Sequence, residues 1–421
     1  MLIEFQVKNY RSFRDHQALS MVAGRFTEHT DANTIAAEIP GFDRFLRSSV
    51  IYGANAAGKT NLLRALQLMQ TLVLNSAASP PATVLPYDPF KFAKSSRQEP
   101  CEFQVAFIES GTRYEYGFAF DAERIREEWL VEYVHPRGRT IFERTFNAKT
   151  RKYDWRFSEF LKGRRSLWSE STRPNALFLS TAIQLNSRQL LPVFEWFQKR
   201  LVVITGFSSL NPTLTLKLLD SPEGKAKVLP FLREADLGIT GIEFKREPMV
   251  VQPGTMVIGG APIIEQIPGN PIPNLLKITL AHAGEGDEKV GMDLGDESAG
   301  TQVLFRSAGA WLRVWENGQV LLVDEIDTSL HPLLTRFLIG KFHSKSSNPQ
   351  NAQLIFSTHN TSFLNQDVFR RDQIWFVEKS ADGSSRLYPL TDFSPRNDEV
   401  LDSWYLRGRY GALPVLSESA N

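Results

Sequence analysis

Apolar and polar positions alternate over the first residues, with Ile3, Phe5 and Val7 set against Leu2, Glu4 and Gln6, and this period of two predicts an opening strand. A short apolar run at Ser49 to Tyr52 predicts a second, and a glycine-rich turn follows at once. Beyond it, Leu62, Ala65, Leu66 and Met69 recur at helical spacing, so the local order is strand, loop, helix. Prolines and small residues mark a loop from about Ser76 to Glu99. Strand-like alternation then runs through CEFQVAFIESGTRYEYGFAF, turning at Glu109 to Thr112, and on through EWLVEYV and RTIFERTF, which predicts an antiparallel β lobe over 76–165. Residues 166–247 return to helical spacing, and 248–291, with PGTMVIGGAPIIEQIPGNPIP, is expected to be irregular. From Gly318 the runs VLLV, QLIF and QIWFV alternate with helix-like segments, the rhythm of a parallel sheet. No repeat or long heptad tract appears, so a coiled-coil arm is not expected.

The turn after Tyr52 reads GANAAGKT, Gly53 to Thr60. Each fixed position of G-x-x-x-x-G-K-[ST] has a physical reason. Glycines let the backbone approach phosphates, successive N–H groups make an anion nest, Lys59 neutralises β/γ charge, and Thr60 offers a hydroxyl to magnesium. The flanking strand and helix are the context this chemistry needs. Gly53, Asn55, Ala56, Ala57, Gly58, Lys59, Thr60 and the adjoining Asn61 are therefore the candidate nucleotide contacts.

Further along, the apolar run Val320 to Val323 ends in Asp324 and Glu325, a core strand delivering two carboxylates to a sheet edge. Asp324 is the candidate magnesium ligand, and Glu325 is placed to orient or deprotonate the attacking water. QLIFSTHN supplies another strand, with His359 at its end to contact a γ-phosphate or the water. The remaining histidines lack ligand spacing, so no zinc site is expected. Glu325, His359 and Lys59 are the expected catalytic groups.

Composition narrows the setting. The 421 residues carry 42% hydrophobic side chains, enough for two or three modules with a real core. A net charge of +1 gives no global pull toward nucleic acid or membrane. The single cysteine, Cys101, cannot form an internal disulfide or a thiolate cluster, which fits a reducing compartment. Neither a signal peptide nor a membrane-length apolar run is present, so a soluble cytoplasmic protein without a membrane partner is expected.

GANAAGKT, DESAGT, VLLVDEIDTSLHP and FSTHN, in that order, resemble the ABC class of P-loop ATPases, including SMC-like and RecF-like members. With the opening VKNYRSF and the closing YLRGRYGALP, the chain is similar to the ABC-type ATPases, often labelled AAA family, of bacterial abortive-infection and phage-defence operons, the RloA and AbiLii kind. The resemblance covers both ends and only the general layout of the middle. It implies an α/β fold with one split ATPase head over 1–421. Within it, an N-terminal segment (1–75) holds the Walker A phosphate loop, followed by the β lobe (76–165) and a helical and irregular insertion (166–291). A C-terminal segment (292–421) carries the signature, the Walker B acids and the switch histidine. The resemblance also implies ATP and Mg2+ as ligands, ATP hydrolysis to ADP and phosphate, and a homodimer or higher oligomer of heads. In such a dimer the signature loop caps the γ-phosphate held by the partner, so Ser298 and Gly300 would offer a hydroxyl and a close N–H across the interface. Ala299 stands where many signatures have glycine, and His331 where the D-loop usually has aspartate. Asn9, Tyr10 and Arg11 match the opening motif, which places Arg11 near nucleotide or signature loop.

The implied function is a nucleotide-driven switch in anti-phage defence. The 62 residues after His359 are expected to be too few for the TOPRIM nuclease of OLD-type relatives, so an effector, nuclease or other, is expected as a separate chain. The alternative is a DNA-repair ATPase of RecF or SMC type that binds duplex DNA; a transporter's nucleotide-binding subunit fits the β lobe and long insertion poorly. Between Arg137 and Arg165 the chain carries ten basic residues against three acids, with Trp155, Phe157 and Phe160 interleaved. Such a tract could hold DNA or RNA, or be a solvated hairpin face.

Overall fold

The computed structural model describes the chain except residues 135–136, 207–209, 211, 236–237, 249–263, 266–273, 287, 329, 397–398 and 415–421. It divides into two compact units: Met1–Thr205 with Val314–Ile326 and Leu338–Asn421, and Gly206–Arg313 with Asp327–Phe337.

The first unit opens with β1 (Leu2–Lys8) and β2 (Gln17–Ser20), then the short helix α1 (Thr30–Asn33) and the hairpin β3 (Thr34–Ala36) and β4 (Arg44–Leu46). β5 (Ser48–Tyr52) is buried along its whole length and runs through the glycine turn into α2 (Lys59–Asn75). Next come β6 (Cys101–Glu109), β7 (Thr112–Phe120), β8 (Ile125–Tyr133), β9 (Arg139–Asn147) and β10 (Lys152–Phe157). Together with β1 and β2 these five strands form a seven-stranded antiparallel sheet in the order β10-β9-β8-β7-β6-β1-β2. The lobe anticipated from alternation thus also recruits the N-terminal strand. The β6–β7 turn is the pair Ser110 and Gly111, both at positive φ (51° and 75°), the twist that two-residue hairpins favour.

Helices α3 (Arg165–Ser171), α4 (Phe178–Gln184) and α5 (Leu191–Glu195) follow, then β11 (Leu201–Ile204). β11, together with residues 239–247 of a later strand, corrects the helical reading of 166–247. Four residues are too short a run to stand out from helical neighbours, and β11 forms because its backbone pairs in parallel with Val320–Val323.

The second unit holds α6 (Thr213–Leu219), α7 (Pro222–Glu234) and a four-stranded sheet of β12 (Ile239–Pro248), β13 (Ile264–Glu265), β14 (Asn274–Ala283) and β15 (Lys289–Asp293). The reading of 248–291 as irregular is therefore corrected for 274–283 and 289–291: Leu276, Ile278 and Leu280 alternate inward, and that period is masked in the sequence by the prolines and glycines beside it. Apart from Ile264–Glu265, the stretch 253–273 lies outside the described residues. Helix α8 (Ala299–Asn317) begins in this unit, where Gly309 lets it approach α6 closely and donates its N–H to Thr215 Oγ1 at 2.8 Å.

The chain continues through β16 (Val320–Val323), α9 (Pro332–His343), β17 (Gln353–Ser357), β18 (Ile374–Lys379), β19 (Ser385–Pro389) and α10 (Leu401–Leu406). In the first unit these strands join β5 and β11 in a six-stranded sheet, order β11-β16-β17-β5-β18-β19, parallel except for the last pair. The core of the unit lies around α2, whose Leu62, Leu66 and Met69 pack with Phe103, Phe107, Phe118 and Trp196; burying each such side chain is worth about 2 kcal/mol. Glycine at 58 starts α2 and the absence of glycine or proline within it lets it run seventeen residues. The parallel sheet therefore presents the ends of β5, β16 and β17 along one edge, where ligands bind in open α/β sheets.

Candidate functional site

Gly53 to Gly58 bridge β5 and α2 at this edge. Gly53 lies against the Val377 carbonyl, and Gly58, at φ 121°, lies against the hydroxyls of Ser385 and Ser12; a Cβ at either position would collide. Ser385 Oγ donates to the Ala57 carbonyl, which ties the loop to β19. Asn55 and Ala56 are exposed at the tip, with Ala56 in the left-handed region at φ 60°. Lys59 is buried, and its Nζ donates to the Gly53 carbonyl at 2.7 Å and to the Ala54 carbonyl at 3.1 Å. The first bond of α2 runs from the Leu62 N–H to the Gly58 carbonyl at 3.1 Å, so the N–H groups of its opening turn have no carbonyl within the helix to bond. With Lys59 beside them, these groups make an anion-attracting helix start.

The opening motif folds over that helix start. Tyr10 and Phe13 exchange backbone hydrogen bonds at 2.8 and 2.9 Å, which closes a tight turn with Asn9 and Arg11 both at positive φ (50° and 51°). Asn9 is fully buried, and its amide donates to the Ser96 and Glu99 carbonyls, each at 2.7 Å. Asn61 donates to Ser12 Oγ at 2.9 Å, and Arg11 Nη1 reaches Asn61 Oδ1 at 3.5 Å. Arg11 also pairs with Asp88 at 3.2 Å. The structure thus brings Arg11 and Asn61 together beside the phosphate loop.

At the ends of β16 and β17 a serine organises the two acids. Ser357 Oγ donates to Asp324 Oδ1 at 2.6 Å and accepts from the Glu325 N–H at 2.8 Å. Asp324 is buried. Glu325 sits at φ 49°, a strained conformation for a side chain of its kind, and its carboxylate reaches outward with Oε1 3.8 Å from His359 Nε2. Two adjacent acids therefore hold different environments: one buried and hydrogen-bonded, one half-exposed beside an imidazole. A hydroxyl and a buried carboxylate, Thr60 and Asp324, are the hard oxygen donors that Mg2+ takes alongside phosphates and water. Among the described residues no group of three or more His, Cys, Asp or Glu side chains is arranged to hold a metal on its own.

Ser298 and Gly300, the expected signature residues, belong to the second unit. Ser298 is exposed and caps α8: its hydroxyl accepts from the Thr301 N–H at 3.1 Å and lies 2.8 Å from the Thr301 hydroxyl. Ala299 and Gly300 form the first helical positions. Glu297 carries a hydrogen bond with His282 Nε2 at 2.6 Å. His331, which the resemblance sets at the usual D-loop aspartate, has Nδ1 accepting from the Leu333 N–H at 3.2 Å and so caps α9. Ser329 lies outside the described residues.

The basic tract is corrected for some of its members. Arg144 is fully buried, 3.6 Å from Glu128, donates to the Ala176 carbonyl at 2.8 Å, and lies 4.0 Å from the Tyr153 ring. Glu128 in turn accepts from the N–H groups of Phe178 and Leu179 at the start of α4, and burial pushes its carboxyl above the usual range against the pull of Arg144. Trp155 and Phe157 face inward onto Phe178, while Lys152 and Arg156 of the same strand face outward. Aromatic and basic side chains of β10 therefore lie on opposite faces, and the rings are committed to the core. Arg139 pairs with Glu132 at 2.7 Å and covers Phe160 at 4.4 Å.

Sequence reasoning missed Ser12, Ser357 and Ser385. Ser357 lies within FSTHN two residues before His359, so its place at the strand end was visible; nothing local marked Ser385, which arrives from a distant hairpin.

Residues 48–195 and 253–365 match the family model described as "AAA domain, putative AbiEii toxin, Type IV TA system", together more than half of the chain. No curated protein matches the sequence. Among solved structures, the SMC head domain from Thermotoga maritima aligns with a TM-score of 0.40 at 13% identity, over 92% of this chain and 98% of that one. An SMC head bound to the C-winged helix domain of ScpA aligns with a TM-score of 0.40 at 13% identity, over 92% of this chain and 96% of that one. Among the described residues no helix is long and apolar enough to cross a membrane.

Proposed function

Because this chain belongs to the AAA-domain family of the AbiEii type, we propose that it hydrolyses ATP with magnesium and works as a nucleotide-driven switch. The observation that carries the reading is the Ser357 clamp, which holds Asp324 inward and turns Glu325 outward at the end of one parallel sheet whose other strand feeds the phosphate loop. Lys59 and the helix-start N–H groups bind and orient the phosphates. Thr60 and Asp324 would hold magnesium, which would supply charge neutralisation on the phosphate oxygens. Glu325 positions the attacking water and takes its proton, and His359, beside it, donates to the transferring phosphate. Arg11 steadies Asn61 and the loop's helix.

The exposed Ser298 and the N-terminus of α8 cap the γ-phosphate of a second copy, so that two heads close on two ATP molecules. Dimerisation then reports nucleotide state to a separate effector, and the toxin description of the family supports a role in anti-phage defence. The second reading, an ATPase that binds duplex DNA, keeps the outward-facing Arg151, Lys152 and Arg156 as phosphate contacts but loses Arg144, which is paired with Glu128 in the core.

Phosphate release and light-scattering mass of Glu325→Gln, with and without magnesium-ATP, test this function. Hydrolysis is expected to fall about 100-fold or more. The mass is expected to double with ATP and to stay monomeric when Ser298→Arg is added. Unimpaired hydrolysis would remove Glu325 from the reaction, and an ATP-independent mass would remove the closing dimer.

A further inference from the structure

The loop between α2 and β6 carries an aromatic ring that the nucleotide chemistry does not use. Phe92 is 73% exposed. The ring rests against its neighbours: its edge lies 2.9 Å from where a Cβ on Gly383 would stand, and Phe90 meets it at 5.6 Å between ring centroids with the planes 68° apart. Lys379 Nζ lies 6.0 Å from the ring centroid. Around it Lys91, Lys94 and Arg97 are exposed, with Arg97 Nε anchored to the Lys91 carbonyl at 2.7 Å. Lys91 shares Asp88 with Arg11, whereas Lys94, Arg97 and Lys379 make no ion pair among the described residues.

We propose that this surface binds single-stranded nucleic acid, with a base stacked on Phe92 and the backbone phosphates met by Lys94, Arg97 and Lys379. A ring that stands open to solvent among cations is the platform on which a base stacks. Cations set around it supply the phosphate attraction that a stacked base alone lacks. A duplex would keep its base faces paired and stacked, leaving the ring without a partner. An acidic polypeptide would use the cations but not the ring.

The test is fluorescence anisotropy of the full chain with labelled oligo-dT and oligo-rU of about 20 nucleotides, over a range of salt concentrations. Binding of either oligonucleotide is expected, and the ratio between them identifies DNA or RNA as the source. Phe92→Ala should weaken binding about 5- to 100-fold, and Phe92→Trp should restore it. Lys94→Gln and Lys379→Gln should each reduce the salt slope by about 0.7. Phe92 is exposed, so these variants keep the fold, which circular dichroism verifies. No binding, or binding indifferent to Phe92→Ala, would overturn the proposal. Equal displacement by oligoglutamate would assign the surface to an acidic partner instead. Loss of the oligonucleotide on adding magnesium-ATP would assign Phe92 to the nucleotide's own base.

Discussion

Replacing Ser357 by alanine removes one oxygen that serves both acids. Its bond to Asp324 is short, at 2.6 Å, buried and charge-assisted, worth about 1.5–3 kcal/mol. Its bond from the Glu325 N–H, at 2.8 Å, holds a residue at φ 49°, a conformation that costs about 1–3 kcal/mol and persists only where the surroundings impose it. Without the hydroxyl, Glu325 relaxes toward ordinary backbone geometry and its carboxylate leaves the position beside His359. Displacement of a general base by about 1 Å costs on the order of 100-fold in rate. The expected result is therefore a kcat lowered about 10- to 100-fold with little change in the KM for ATP, because the phosphate loop is untouched, and a stability loss of about 2 kcal/mol. Steady-state phosphate release and urea unfolding read the two quantities. A variant that hydrolyses at the wild-type rate, or one whose KM rises while kcat holds, would refute the clamp.

Two further outcomes follow from desolvated groups. Arg144→Ala strands Glu128 in the core and should cost about 3–5 kcal/mol in urea unfolding, against less than about 0.5 kcal/mol for the exposed Arg151→Ala; equal effects would contradict the burial of the pair. His343 is half-buried, bonded to Ser48 Oγ at 2.8 Å, and desolvation with Arg47 beside it pushes its imidazole down to about 3. The unfolded chain therefore takes this proton below pH 6.5 while the folded chain does not, so stability falls as pH drops from 6.5 toward about 3. Between pH 7 and 5.5 the loss from this residue should be about 1 kcal/mol, absent in His343→Gln; identical pH dependence in both proteins would show that His343 titrates alike folded and unfolded.

What was legible in the sequence was local. GANAAGKT needs only a strand before it and a helix after it, and both are set by spacing within about 25 residues, so Ser48–Tyr52 and Lys59–Asn75 were readable. The acids after Val320–Val323 were readable for the same reason. Groups whose role depends on a distant partner were not. Ser385 reaches Ala57 across 328 residues, and the Ser357 clamp depends on β17 lying beside β16. Arg144 is the instructive case, because counting charges over 137–165 ignores faces. Phe142, Arg144 and Phe146 share one side of β9, and Arg144 stands directly opposite Glu128 in the ladder. Read by period two, Arg144 follows the core rather than the solvent.

The same consideration bears on Ser298 and His331. Both stand where the resemblance places residues facing a partner's phosphate or a neighbouring site, and both cap the helix they precede, α8 and α9. Capping and phosphate binding draw on one resource, the unpaired N–H groups and positive end of a helix start. A Ser298 hydroxyl that accepts from Thr301 keeps a hydrogen to donate and can turn it to an incoming phosphate oxygen, while the freed Thr301 N–H faces the same anion. The cap is then the resting form of the proposed anion site. Ala299 fits this account, because the position after the cap contributes its backbone N–H, which alanine supplies as well as glycine does.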